Sequence, residues 1–343
     1  MQSKSTSTNL NNFDIIRVLG IALVVLRHSF APFTGSWDVS EFYTQNEMAR
    51  IIGEYVSTIS MPLFVFISGY IFSYLRNYLN KYRSFKILLE KKTKRLLVPY
   101  LILGPIYIYF FLDASNIYNY LSYMISGPGH LWFLIMIFFL FLIFYFLENF
   151  FKEKLFWGAI CVFILYSLES ITYYLGMHIL AMVFKYFPFF YLGYMFYYYN
   201  AEIKRILKGK GWPIFFLHLS LFILFIFYNQ FIDNKIIRLI FNRYLVLSLG
   251  ILSISFIYIC FRNANYVKSS VKGRIIHQIN DNSYYIYLLH QPILELLFLN
   301  TFLQQLPIYL VIPIAFLIGF FGSYLISKPI LRFKYGRMLI GAK

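Results

Sequence analysis

The chain has 343 residues, 60% of them hydrophobic and only 13% charged, with a formal net charge of +17. A soluble domain carries roughly 25% charged residues, so this chain has too little polar surface to close over a water-soluble core. The mean hydropathy of +0.64 and the long apolar blocks point to a polytopic membrane protein, and the membrane accounts for the positive charge better than nucleic acid does.

Blocks rich in Phe, Ile, Leu and Tyr predict spans at about 13–32, 55–75, 96–113, 131–147, 155–172, 178–199, 213–232, 239–261, 283–303 and 307–327. A membrane barrel would alternate polar and apolar residues, and these blocks do not, so the expected fold is an all-α bundle of about ten transmembrane helices. The polar stretch 1–12 shows no signal-peptide pattern and is expected to be a cytoplasmic tail. Residues 13–330 form the bundle and 331–343 a basic cytoplasmic tail.

Orientation follows from lysine and arginine in the loops. With the N-terminus inside, the loop after the second span is cytoplasmic and holds Arg76, Lys81, Arg83, Lys86 and the Lys91–Arg95 stretch. Later cytoplasmic loops carry Lys152 and Lys154, then Lys204 to Lys210, then Arg262, Lys268, Lys272 and Arg274. The opposite loops hold few cations, and the first is acidic, with Asp38, Glu41, Glu47 and Glu54. Both ends are therefore expected in the cytoplasm. No soluble domain is expected beside the bundle, so any chemistry is expected in or next to it.

Ionisable groups inside a span are expensive and mark functional sites. The first span holds Asp14, Arg17, Arg27 and His28. Arg17 and His28 lie eleven residues apart, close to three full turns, so they share a face about 16 Å apart along the axis. The plain alternative is a snorkelling arginine and a histidine bonded to a neighbouring helix; Arg27 suits outer-interface snorkelling. In the second span, Ser68 and Gly69 are small groups suited to close packing or to a ligand. The basic stretch containing Lys91, Lys94 and Arg95 precedes Pro99 and suits either anionic lipid or a phosphorylated cytosolic donor.

His130 and Trp132 open the fourth span, where Trp132 also fits an interfacial aromatic belt. In the ninth span Tyr287 and His290 are three residues apart and share a face, either as a polar packing network or as part of a site. Glu295 follows further along. His178, Glu169, Lys185, Asp233 and Arg243 are scattered near span ends and form no pattern. Cys161 and Cys260 sit in apolar blocks and read as small buried hydrophobes. No HExxH helix or Cys/His cluster suggests a metal, and no glycine-rich phosphate loop is present.

Arg17 and His28, the Ser68-Gly69 element, the basic stretch before Pro99, His130-Leu-Trp-Phe and the late Ser283-Tyr-Tyr-Ile-Tyr-Leu-Leu-His290 occur in order over about residues 13–330. Together they resemble the acyltransferase-3 family of integral membrane acyltransferases. The chain looks most like the compact branch that acylates bacterial surface polysaccharides, including sugar O-acetylases and the intercellular-adhesin O-succinyltransferase type. The resemblance implies transfer of an acyl group from cytosolic acyl-CoA to a hydroxyl of a polysaccharide or lipid-linked glycan, in the bacterial cytoplasmic membrane. Acetyl-CoA is the default co-substrate, succinyl the alternative acyl group, and no permanently bound cofactor is expected.

The family's functional arginine and histidine correspond to Arg17 and His28. Lys91, Lys94, Arg95, Ser68 and Gly69 correspond to the donor side. Asp14, His130, Trp132, Tyr287 and His290 are left as acceptor-binding or supporting residues. A glycan transporter or flippase is the competing class, and a non-catalytic membrane subunit a third. Transporters are often built from repeated halves with broken helices, which this sequence does not show.

Overall fold

The computed structural model describes residues 2–35, 37, 43–112, 114–228, 232, 234–263 and 270–342. The expectations that fall on Asp38, Glu41, Asp233 and Lys268, and on the terminal Met1 and Lys343, lie outside the described residues. Among the described residues every regular element is helical and no strand occurs.

The helices are α1 (Gln2–Ser29), α2 (Glu47–Asn77), α3 (Phe85–Lys92), α4 (Val98–Phe111), α5 (Ile117–Ser126), α6 (Trp132–Glu153), α7 (Leu155–Tyr174) and α8 (His178–Tyr198). They continue as α9 (Asn200–Ile206), α10 (Gly211–Phe227), α11 (Lys235–Phe261), α12 (Val271–Phe298), α13 (Thr301–Gln304), α14 (Ile308–Leu317), α15 (Ser323–Arg332) and α16 (Lys334–Leu339). Single π turns at Thr93–Leu97 and Ile318–Gly322 join α3 to α4 and α14 to α15. Several starts carry side-chain caps. Ser84, Asn116, Asn234 and Ser270 each accept a hydrogen bond from an amide of the first turn, at 3.4, 2.9, 3.0 and 3.0 Å.

Every predicted apolar block overlaps a helix. Among the described residues seven helical segments are long and apolar enough to cross a bilayer, or eight if α9 and α10, bent by 80° at a short break, count as one span. The helices outside that set that coincide with predicted spans are α1 and α12, each of 28 residues. They carry Asp14, Arg17 and Arg27, and Asp281 and Glu295. The expectation of about ten spans rests on these two polar helices crossing as well. Each begins about three turns before its apolar block, and the expected N-terminal tail is helical from Gln2. A helix of this length runs about 42 Å, longer than the ~30 Å hydrocarbon core. Hydropathy marks the membrane's edge, whereas a helix satisfies its own backbone on both sides of that edge.

The chain divides into two compact units, Met1–Ile67 with Tyr199–Tyr324, and Ser68–Tyr198 with Leu325–Lys343. In the first unit, α1 packs along α12 and against α14, α11 and the second π turn, while α10 packs on α11. A Cβ on Gly319 would lie 2.9 Å from Leu294 and 3.1 Å from Val25, so the π turn approaches both helices closely. Phe222, Leu245 and Leu249 form an apolar cluster with Ile51, Tyr55 and Phe241 against it.

In the second unit, α8 packs on α7 and α6. Phe144 sits within 4.4 to 6.1 Å of the rings of Phe190, Phe187, Phe151 and Tyr194. Next to this aromatic core Glu148 is buried, 3% exposed, and fully engaged. Arg76 Nε lies 2.5 Å from one carboxylate oxygen, and Asn77 Nδ2 and Tyr198 OH donate to the other at 2.7 and 3.0 Å. Arg76 also donates to the Tyr145 carbonyl at 3.0 Å and lies 3.9 Å from its ring centroid. Removing one partner of such a buried pair costs about 3–5 kcal/mol, because the other charge is stranded.

Gly69 faces the backbone of Phe190, and a Cβ there would run into the Phe190 carbonyl oxygen. This gives Gly69 a packing role between α2 and α8. Backbone cannot yield as a flexible side chain does. Gly69→Ala should therefore destabilise the protein by about 1–3 kcal/mol, although alanine favours helix. Gly211→Ala, whose Cβ meets nothing nearer than 3.6 Å, is the control. Thermal unfolding of both purified variants checks this, and equal midpoints would contradict the packing role.

Candidate functional site

The first unit brings five of the sequence-predicted residues, Asp14, Arg17, His28, Tyr287 and His290, onto one pair of helices. α1 and α12 run parallel, shown by two polar contacts in matching order. Arg17 Nη1 donates to Asn280 Oδ1 at 3.1 Å, and further along the Nδ1 of His28 lies 3.3 Å from the Nε2 of His290. The two steps are nearly equal, eleven residues on α1 and ten on α12. At 1.5 Å per residue the two contacts are about 15–16 Å apart along the pair.

The histidine contact is enclosed. His290 is 0% exposed. The two rings stand edge to face, with centroids 4.8 Å apart and planes at 75°. Each Nδ1 also faces a carbonyl of its own helix: Val24 O lies 2.8 Å from His28, and Tyr287 O lies 2.6 Å from His290. Both carbonyls sit one turn before their histidine, as a helix places them. The buried Tyr287 ring lies 5.8 Å from the His290 ring. Asp14 lies one turn before Arg17 and is partly buried.

Beyond the histidines the wall is aromatic. The Trp37 ring lies 5.9 Å from that of His28 and 6.0 Å from that of Phe298. Tyr43 stands 5.6 Å from Phe298, and its hydroxyl donates to the Phe298 carbonyl at 3.2 Å. On α12, Gln291, next to His290, donates to the carboxylate of Glu295, one turn further on, at 2.7 Å. Trp37, Asn280 and Gln291 went unnoticed in the sequence. Asn280 alone had a readable signal, because its ten-residue spacing from His290 nearly matches the eleven of Arg17 from His28.

The second unit holds the remaining predicted residues. Ser68 and Gly69 lie on α2, where Gly69 abuts Phe190. His130 is 4% exposed with its ring 5.9 Å from Tyr107, and Trp132 stacks on Tyr186 at 5.5 Å. In the basic stretch Lys94 is 72% exposed and paired with Glu90 at 2.6 Å. Lys91 is exposed and donates to the Lys81 carbonyl at 3.3 Å. Arg95 lies at the π turn, where the Arg95 backbone is close to Gly341 near the C-terminus.

The residue that stands apart is Lys92, which sequence reasoning passed over. Its side chain is buried, with the ammonium 3.1 Å from the Phe141 ring centroid and 5.4 Å from that of Tyr82. No carboxylate among the described residues pairs with it. The signal was present as a four-residue step: Leu88, Lys92, Leu96 and Tyr100 are all buried on one stripe. Aromatic faces attract a cation, worth about 2 kcal/mol when desolvated, but they do not neutralise it.

A family model described as an acyltransferase domain, that of acyltransferase-3, matches residues 10–330. No curated protein and no solved structure matches the chain. The matched region takes in the α1–α12 pair, the basic stretch and nearly the whole helical array. An all-helical chain with seven or eight apolar membrane-length helices, matched by that model over almost its full length, belongs to the acyltransferase-3 family and is a multi-pass membrane acyltransferase.

Proposed function

We propose that this protein is an O-acyltransferase of the compact surface-polysaccharide branch. It moves an acyl group, acetyl by default with succinyl as the alternative, from cytosolic acyl-CoA to a hydroxyl of a cell-surface polysaccharide or lipid-linked glycan. The observation that carries the reading is the contact of His28 with His290 inside the α1–α12 pair, about three turns beyond Arg17. The lysine and arginine bias of the loops supports an orientation with both ends in the cytoplasm; the membrane of this reading is the bacterial cytoplasmic one. In that orientation the Arg17 level is the donor side and the histidine level lies deeper, towards the outer half.

Acyl transfer to a sugar needs a base for the hydroxyl proton and a donor for the oxyanion. The lone pair of a neutral imidazole can take such a proton, and histidine is the side chain that most often does so. His28 takes the base role. The span of about 16 Å between Arg17 and His28 is of the order of a pantetheine arm. A thioester could thus reach the deeper level while its nucleotide stays at the cytoplasmic face. Among the basic residues, Lys92 suits a donor phosphate best, because its charge is buried without a carboxylate. Lys91 and Lys94 are solvated, and their charges are correspondingly screened.

Lys92→Met should raise the KM for acetyl-CoA about tenfold or more, the loss of one charge-assisted contact. Its thermal midpoint should hold or rise, because an apolar group of similar length replaces a buried charge. Steady-state kinetics with unfolding data check both halves, and an unchanged KM removes Lys92 from the donor site. Mass spectrometry of surface glycans tests the function itself, in cells with the intact protein, with none, and with His28→Ala. An ester-sized mass should appear only with the intact protein, falling at least about 100-fold in the variant. Full esterification by a well-folded His28→Ala protein would sink the assignment.

A further inference from the structure

The two histidines of the α1–α12 pair are not equivalent, and their neighbours determine where each proton sits. A carbonyl oxygen only accepts hydrogen bonds, so a ring nitrogen facing it carries the hydrogen. His290 Nδ1 lies 2.6 Å from the Tyr287 carbonyl, which makes it the N–H of that ring. A neutral imidazole has one N–H, so the Nε2 of His290 is a lone pair. That lone pair lies 3.3 Å from His28 Nδ1, which also lies 2.8 Å from the Val24 carbonyl. Two acceptors therefore converge on His28 Nδ1, and the hydrogen there is shared between them. The remaining lone pair of the two rings is at His28 Nε2.

We infer that His290 is a positioning residue that fixes His28 with its hydrogen on Nδ1, so that Nε2 is the base. This rests on the acyltransferase reading for its functional half; the proton arrangement itself does not. During transfer the acceptor O–H bond breaks and its proton passes to His28 Nε2. The freed oxygen forms a bond to the thioester carbonyl carbon. The C–S bond then breaks, and the leaving thiolate takes the proton from His28 Nε2 and departs as the thiol. Between these steps His28 is a cation, and its Nδ1–H is held by Val24 O and His290 Nε2 together. His290 gains and loses no proton over the cycle. Its ring is fully enclosed, and the Tyr287 carbonyl keeps its Nδ1–H in place, so its Nε2 stays aimed as an acceptor.

The arrangement is read directly by 15N NMR of the full-length protein, 15N-labelled at histidine, in lipid bilayers without substrate. His28→Gln and His290→Gln assign the signals. The expected spectrum shows a protonated Nδ1 and an unprotonated Nε2 on His28, with a 15N–15N correlation from His28 Nδ1 to His290 Nε2. A His28 protonated on Nε2 overturns the inference, whatever the protein's activity. The functional half uses His290→Leu, which removes the acceptor, and His290→Gln, whose Oε1 replaces it near the Nε2 position. Glycan esterification and acetyl-CoA kinetics should show kcat down about 100-fold in the leucine variant, an unchanged KM, and substantial recovery in the glutamine variant. Equal kcat in His290→Leu and the unaltered protein would remove the positioning role while leaving the acyltransferase reading intact. Equal losses in both variants would mark His290 as mere packing. No esterification by the unaltered protein, with the expected spectrum, would overturn the acyltransferase reading and leave the proton arrangement standing.

Discussion

A polar side chain inside an apolar bundle must meet another polar group, and this rule fixes the first unit. α1 and α12 are the most polar of the long helices, and neither could face lipid all round at low cost. They answer by lying parallel with their polar residues in register: arginine to asparagine at one level, histidine to histidine about three turns on. A shift of one residue along either helix would separate both contacts at once. The rest of the unit is arranged around that register. Gly319 lets the π turn come within reach of Leu294 and Val25, closing the pair with small and apolar groups.

The second unit solves the same problem twice, in different ways. Glu148 is surrounded by donors until each carboxylate oxygen is engaged, and Arg76 returns the charge and lies against an aromatic ring. Lys92 instead rests between aromatic faces, with its charge uncompensated by any described carboxylate. One is a closed network whose members hold helices together. The other is an incomplete one, because aromatic faces attract a cation without neutralising it.

Most of the helical array was legible in the sequence, because length and apolarity alone decide where a chain can cross a bilayer. The ten predicted blocks each overlap a helix, yet their edges misplace α1 and α12 by about three turns. Hydropathy reports the solvent, not the backbone, and a helix capped by Ser270 runs on through polar residues. On the site, the shared face of Arg17 and His28 could be read from one helix. Their partners could not, because Asn280 and His290 are more than 260 residues away in the chain. Lys91 and Lys94 drew attention as charges in a run, while the four-residue step that buries Lys92 among Leu88, Leu96 and Tyr100 was hidden in the same run. Charge counting sees a loop; periodicity sees a face.

The Arg76–Glu148 network also bears on how this sequence can change over generations. Arg76, Asn77, Glu148 and Tyr198 come from three helices, α2, α6 and α8, and meet at the buried Glu148 carboxylate. A drift at Glu148 strands a guanidinium, and a drift at Arg76 strands a carboxylate. Among descendants of this gene the two positions are therefore tied. They persist together or are exchanged together for apolar residues, and the path between those states passes through proteins that fold poorly.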